Sequence, residues 1–244
     1  PATPFAMGAG HVNPEGWGYY HPFTAADLEE ELSADHGWPN PWDKRGNKGS
    51  PFEPGLVYDA GFNDYLGFLC DAAPEVFANP AATCAILENI GVPTKAINLN
   101  LASIGVSQLA GSQTVMRTVT SVTRDKFPRT YRVSVQAPEG YMVEVNPSTL
   151  RLKGGESATY EVTITNVSAP AGEWRFGSLT WSDSWGHYRV YSPIAVKGAL
   201  FKAPAAIKGS GESGSAAFDV TFGYTGSYTA AAHGLEPATV TSDN

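Results

Sequence analysis

From about residue 111 to 198 the chain alternates apolar and polar positions with the two-residue period of a half-buried strand. Val115, Arg117 and Val119 alternate with threonine. Tyr131, Val133 and Val135 repeat the pattern, as do Val143 and Val145, then Leu150 and Leu152. Tyr160, Val162 and Ile164 give it most cleanly. Trp174, Phe176, Leu179 and Trp181 follow, and Tyr188 to Val196 closes the set. Turn signals separate these runs: Pro138-Glu139-Gly140, Asn146-Pro147, Gly154-Gly155, Ala169-Pro170-Ala171-Gly172 and Ser184-Trp185-Gly186. About seven short strands with regular turns predict a β-sandwich.

Ahead of that block the period changes. Asp64 to Cys70 carries the apolar spacing of a helix turn against a core. In Ala81 to Ile90, the positions Ala82, Ala85, Ile86 and Asn89 follow helical spacing, and Gly91 and Pro93 end it. Glu15 to Ser50 holds Trp17, Tyr19, Tyr20, Trp38 and Trp42 among glycine and proline, with an acidic run Asp27-Leu28-Glu29-Glu30-Glu31. It reads as a surface insertion whose rings fold back on the body. The alternative is an aromatic face for sugar or peptide. Past the sandwich, Gly209 to Gly214 is a turn-rich stretch, and Phe218 to Phe222 alternates as a strand does. Residues 199–244 thus look like the start of a further β-rich segment or strands packed on the sandwich.

Composition narrows the class. Of 244 residues, 42% are hydrophobic and only 16% charged, which favours folded β-rich structure over disorder. A net charge of −8 argues against a nucleic-acid surface, which needs clustered lysine and arginine. No apolar run is long enough to span a membrane. Residues 1–13 show no basic stretch followed by an apolar core, so they are no signal peptide, and the chain starts at proline. Material is expected upstream of Pro1. Cys70 and Cys84 are the only cysteines. They are either a bridge, which would suit an oxidising compartment, or two buried thiols.

Catalytic patterns are missing from the sequence. There is no Gly-x-Ser-x-Gly elbow, His-Glu-x-x-His, P-loop or Gly-x-Gly-x-x-Gly. Asp35 and His36 are neighbours, but adjacent residues rarely face one another, and no serine pattern accompanies them. Asp183 falls in a turn, where aspartate serves turn geometry. No Cys-x-x-Cys or His-x-x-x-His pattern suggests a metal, and no cofactor motif is present. Asn166-Val167-Ser168 is a glycosylation sequon, a pattern that also recurs by chance.

Several blocks in order carry a resemblance. Pro4 to Pro14 (PFAMGAGHVNP) resembles the segment that follows the nucleophile-bearing helix in plant-type subtilisin-like serine proteases. Pro54-Gly55-Leu56-Val57-Tyr58-Asp59, Asp64-Tyr65 and Phe68-Leu69-Cys70 are similar to the block that closes that catalytic domain. Leu99 to Ile104 resembles the link onward, and Gln113 to Val122 the first strand of the fibronectin type III-like domain that follows.

The resemblance covers residues 1 to about 198 and implies a mostly β chain with some α. Residues 1–110 would be the C-terminal part of an α/β peptidase domain, with 15–52 as an insertion. Residues 111–198 would be the fibronectin type III-like sandwich. Cys70 and Cys84 match positions where that branch often carries a pair. The triad and the oxyanion-hole asparagine would all lie before Pro1, so no catalytic residue can be assigned to any position here. A secreted parent enzyme acting on protein or peptide substrates is implied. The sandwich could position substrate, stabilise the catalytic domain or mediate homodimers. The competing reading is a stand-alone secreted binding module.

Overall fold

A computed structural model of the chain describes residues 54–204, 207 and 215–229. Asp35, His36 and the aromatic stretch 15–52 lie outside the described residues.

The described chain opens with strand β1 (Leu56–Val57), followed by helix α1 (Phe62–Ala72) and helix α2 (Pro80–Asn89). Each helix starts where its sequence allows. At α1, the Gly61 N–H donates to Asp64 Oδ2 at 2.7 Å, which places a carboxylate at the positive end of the helix. At α2, Asn79 Oδ1 accepts from Ala82 N at 3.2 Å and Pro80 takes the first helical turn. Gly91, at φ +83°, ends α2 in a conformation that suits glycine.

The α2 face differs from the one its spacing suggests. Ala82, Ala85 and Asn89 are exposed and Ile86 is 62% exposed, while Leu87 is the buried residue. Cys84 fixes that orientation through its bond to α1, and Leu87 lies three residues further on the same side.

Beyond the helices run β2 (Ile104–Leu109), β3 (Ser112–Ser121), β4 (Arg129–Gln136), β5 (Tyr141–Asn146), β6 (Thr149–Leu152), β7 (Ser157–Asn166), β8 (Trp174–Asp183) and β9 (Arg189–Gly198). They form two sheets, ordered β1-β3-β7-β5 and β2-β9-β8-β4-β6. All pairings are antiparallel except β2 with β9. The seven expected strands are β3 to β9. Ile104–Leu109 joins the second sheet ahead of residue 111, and Leu56–Val57 adds an edge to the first.

Alternation explains the packing. Val115, Val119, Tyr160, Val162 and Ile164 from one sheet meet Tyr131, Leu150, Leu179, Trp181, Ile194 and Val196 from the other in a single buried cluster. The outward positions of β3 and β7 carry hydroxyls in register. Thr114 pairs with Thr163 at 2.9 Å, Thr118 with Thr159 at 2.8 Å and Thr120 with Ser157 at 2.8 Å. A last pair of strands, β10 (Phe201–Lys202) and β11 (Thr221–Phe222), forms a separate two-stranded sheet. Of the alternating stretch Phe218 to Phe222, only the last two residues are strand.

Candidate functional site: the helix–sandwich junction

The helices are joined to the sandwich through a polar seam. Residues Ala96–Asn98 form a 3-10 turn, and the chain then runs beside β3 into β2. Arg117, on β3, is buried beneath this linker. Its Nε donates to the Leu101 carbonyl at 2.9 Å. Nη1 donates to the carbonyls of Ile97 at 2.9 Å and Met116 at 2.7 Å, and Nη2 to that of Ser103 at 3.1 Å. Burial pulls its pKa below the ordinary value, with the hydroxyls of Tyr160 and Tyr58 working the other way. Asparagines complete the seam. Asn98 Oδ1 accepts from Met116 N at 3.0 Å, and Asn100 Oδ1 from Thr118 N at 2.8 Å. Asn100 Nδ2 donates to the carbonyls of Thr118 at 2.9 Å and Asp59 at 3.0 Å. Two side chains thus imitate a neighbouring strand along β3 where β1 stops.

Tyr58, just past β1, reaches into the core. Its hydroxyl lies 2.8 Å from that of Tyr160 and 2.7 Å from Ser192 Oγ. Tyr160 in turn meets Trp181 edge-on, with centroids 5.1 Å apart. Burial raises the pKa of Tyr58 and Tyr160 above the usual tyrosine value and pushes Tyr131 up to about 12. An unfolded tyrosine loses its proton near pH ~10, whereas the folded groups keep theirs. Between those values the unfolded state binds fewer protons, so stability falls as pH rises. The stabilising contribution is intact below pH ~10 and declines towards about pH 12, where Tyr131 itself ionises. Urea midpoints measured across this range are expected to drop steadily, and Tyr58→Phe is expected to flatten part of the slope.

The helix pair is stapled by the Cys70–Cys84 disulfide. Closing this short loop is worth roughly 3 kcal/mol in the chain-entropy account. Reduction is therefore expected to lower stability by about that amount, with the earliest gain in hydrogen exchange over α1 and α2. Uniform exchange across the sandwich and helices would contradict a local role for the bridge.

Part of what the pair leaves uncovered is apolar. Gly67 is the one fully buried residue of α1 and Leu87 that of α2. Phe62 is 77% exposed, and Tyr65, Val76, Ile86 and Ile90 are exposed as well.

An open cleft of about 300 Å³ lies between α1, the linker and β2, lined by Phe68, Asp71, Ile97, Gln108, Gln113 and Lys202. Its carboxylate is engaged: Asp71 Oδ2 accepts from Ala96 N at 2.9 Å. Among the described residues no group of His, Cys, Asp and Glu could hold a metal. No described helix is long and apolar enough to cross a membrane.

Asp183 serves the turn expected of it. Its carboxylate, almost fully buried, accepts from the backbone N–H of Tyr188 at 2.7 Å, of Trp185 at 3.3 Å and of His187. It also pairs with Arg129 Nη1 at 2.7 Å. Burial works against the Arg129 charge, but Asp125 and Asp183 hold its pKa above the ordinary value. Asn166 of the sequon staples the turn after β7: its Oδ1 accepts from Ala169 N at 2.9 Å and its Nδ2 donates to Ala169 O at 3.1 Å.

A family model described as fibronectin type-III domain matches residues 98–196. A subtilisin-like serine protease of Lotus japonicus is 36% identical over 80% of this chain and 21% of its own length. The chain is related to the C-terminal portion of plant subtilisin-like proteases. A second subtilisin-like relative, from Arabidopsis thaliana, is 35% identical over 80% of the chain and 21% of its own length. A relative named a CO(2)-response secreted protease, also from Arabidopsis thaliana, is 40% identical over 59% of the chain and 19% of its own length. The chain therefore spans about a fifth of the subtilisin-like relatives it matches. The bridged Cys70–Cys84 pair suits an oxidising compartment.

Proposed function

We propose that this chain is the C-terminal part of a secreted subtilisin-like serine endopeptidase and contributes support, while the Ser/His/Asp chemistry resides upstream. In such an enzyme serine attacks the peptide carbonyl, histidine acts as base and aspartate orients it. Residues up to about 97 would close the peptidase domain, and the sandwich would follow from about residue 98 as a fibronectin type III-like unit, with Ile104–Leu109 already one of its strands.

The observation that carries this reading is the mismatch in the helix pair. Two helices are stapled and clamped to a sandwich, yet α1 fully buries only Gly67 and α2 only Leu87, while Phe62 and Tyr65 of the first and Ile86 of the second face outward. Apolar helix faces need a partner. A peptidase body preceding the chain would supply it, and the chain's one-fifth share of its relatives leaves room for such a body.

The test has two parts. The coding region directly upstream of Pro1 is expected to encode a Gly-Thr-Ser motif nearby, with histidine and aspartate motifs further back. Residues 1–244 alone are expected to cleave no casein and to take no label from a fluorophosphonate. A start codon and signal peptide immediately before Pro1 would instead favour a stand-alone binding module. Fluorophosphonate labelling of the isolated chain would end the claim that its role is support alone.

A further inference from the structure

The outward face of the second sheet is set apart by its charge. Alternation turns Tyr131, Leu150, Trp181 and Ile194 inward, so their neighbours along each strand point away from the core. In register, Arg132 of β4 stands opposite Ser182 of β8, and Ser182 opposite Arg189 of β9. Arg132 also stands opposite Thr149 of β6, with Arg151 two residues further along that strand. One strand separates Arg189 from Arg132, which sets their backbones about 10 Å apart. Arg132 and Arg151 are diagonal neighbours at about 7–8 Å. All three are exposed.

None of the three makes an ion pair among the described residues, and the face offers them no carboxylate. Asp183 is the one acidic residue in β2, β4, β6, β8 and β9, and it turns inward onto Arg129. Asp125 is taken by the same arginine, and Glu139 and Glu173 both bond Arg175. The first sheet is the reverse. Glu144 and Glu161 are exposed on its outward side, and its one arginine, Arg117, is buried. A chain of net charge −8 thus keeps one sheet face whose only charges are positive.

Aromatic rings accompany the cations. Tyr191, two residues along β9 from Arg189, is 47% exposed. At the far end of the same face Lys197 Nζ stands 5.2 Å from the centroid of the Trp174 ring. Arginine's planar fork takes carboxylates in bidentate fashion. In an extended peptide alternate side chains point the same way and recur every ~6.7 Å, close to the spacing of Arg132 and Arg151. The net negative charge of the chain disfavours a uniform polyanion such as nucleic acid. Rings among the cations suit a ligand with apolar side chains between its acidic ones. We propose that this face binds an extended acidic polypeptide segment of a partner protein. Its carboxylates pair with Arg132, Arg151 and Arg189, and its apolar side chains rest on Tyr191.

Titration of the full 244-residue chain against a fluorescein-labelled peptide of alternating glutamate and tyrosine, read by anisotropy, tests this. Saturable binding is expected, weakened by salt and absent when glutamine replaces glutamate in the peptide. Arg132→Glu/Arg189→Glu is expected to weaken binding about tenfold. Phenylglyoxal modification read by peptide mass spectrometry uses the unaltered chain, so its outcome does not depend on how the variant folds. The peptide is expected to slow modification of Arg132, Arg151 and Arg189 several-fold and to leave the loop residue Arg124 unchanged. The proposal is overturned if binding does not saturate, or if Arg124 is protected as strongly as the other three. It is overturned too if heparin protects these arginines and the peptide does not, which would make a glycan the occupant. Dimers of the chain alone that Arg132→Glu/Arg189→Glu dissolves in sedimentation would likewise overturn it, by making a second copy the occupant. No readout here is peptidase activity, so this proposal and the proposed function can fail independently.

Discussion

Asp183→Ala is expected to cost about 3–5 kcal/mol, the range found when one member of a buried charge pair is removed. Two losses combine. Arg129 stays buried with Asp125 as its remaining carboxylate partner. The backbone N–H groups of Trp185, His187 and Tyr188 lose the acceptor that fixes the hairpin tip, and an unsatisfied buried donor costs about 1–3 kcal/mol. Asp183→Asn keeps one acceptor oxygen, so its cost is expected to be clearly smaller. Urea unfolding of the two variants followed by tryptophan fluorescence measures both. A loss below about 1 kcal/mol for the alanine variant would mean that water replaces the carboxylate without difficulty.

Arg117→Met is expected to cost about 3 kcal/mol, because the side chain is long enough to fill the space yet donates nothing. Four bonds to the carbonyls of Ile97, Leu101, Ser103 and Met116 disappear together. The partial gain from removing a buried charge does not offset four carbonyls left without that donor. Lysine is expected to recover little, since its ammonium lacks the planar fork that reaches carbonyls on both sides. Limited proteolysis distinguishes this from general weakening. Cleavage should appear first within residues 96–103 while the sandwich remains intact. Cleavage that starts in the sandwich would refute the clamp.

The sandwich was readable because its strands bury one face only. Tyr160, Val162 and Ile164 turn inward while Thr159, Glu161 and Thr163 do not, so the period survives in the sequence. Leu56–Val57 is too short to show a period. In Ile104–Leu109 the register shifts after Val106, which breaks the alternation within six residues. The α2 spacing located the helix but not its buried face, because a disulfide to α1 sets the rotation. The bridge could be named from cysteine count and resemblance, since only two cysteines exist.

The junction was hidden for a different reason. An arginine within an alternating strand looks like an ordinary polar-face residue. Arg117 becomes a clamp only because carbonyls fourteen to twenty residues earlier fold over it. Likewise, Arg129 and Asp183 are 54 positions apart, and neither hints at the other. Such pairings follow from the tertiary fold and leave no local pattern.

The asparagines along β3 bear on how copies of this chain meet in concentrated solution. An open strand edge is a template for adding a foreign strand, the first step of β-aggregation. Past the short β1, Asn98 and Asn100 already occupy Met116 N and both backbone groups of Thr118. Growth of the first sheet along β3 by a foreign strand is thus blocked unless the linker is displaced, leaving β5 as its longer open edge among the described residues. Charges or a proline placed on β5 would therefore suppress aggregation more than any change made on β3.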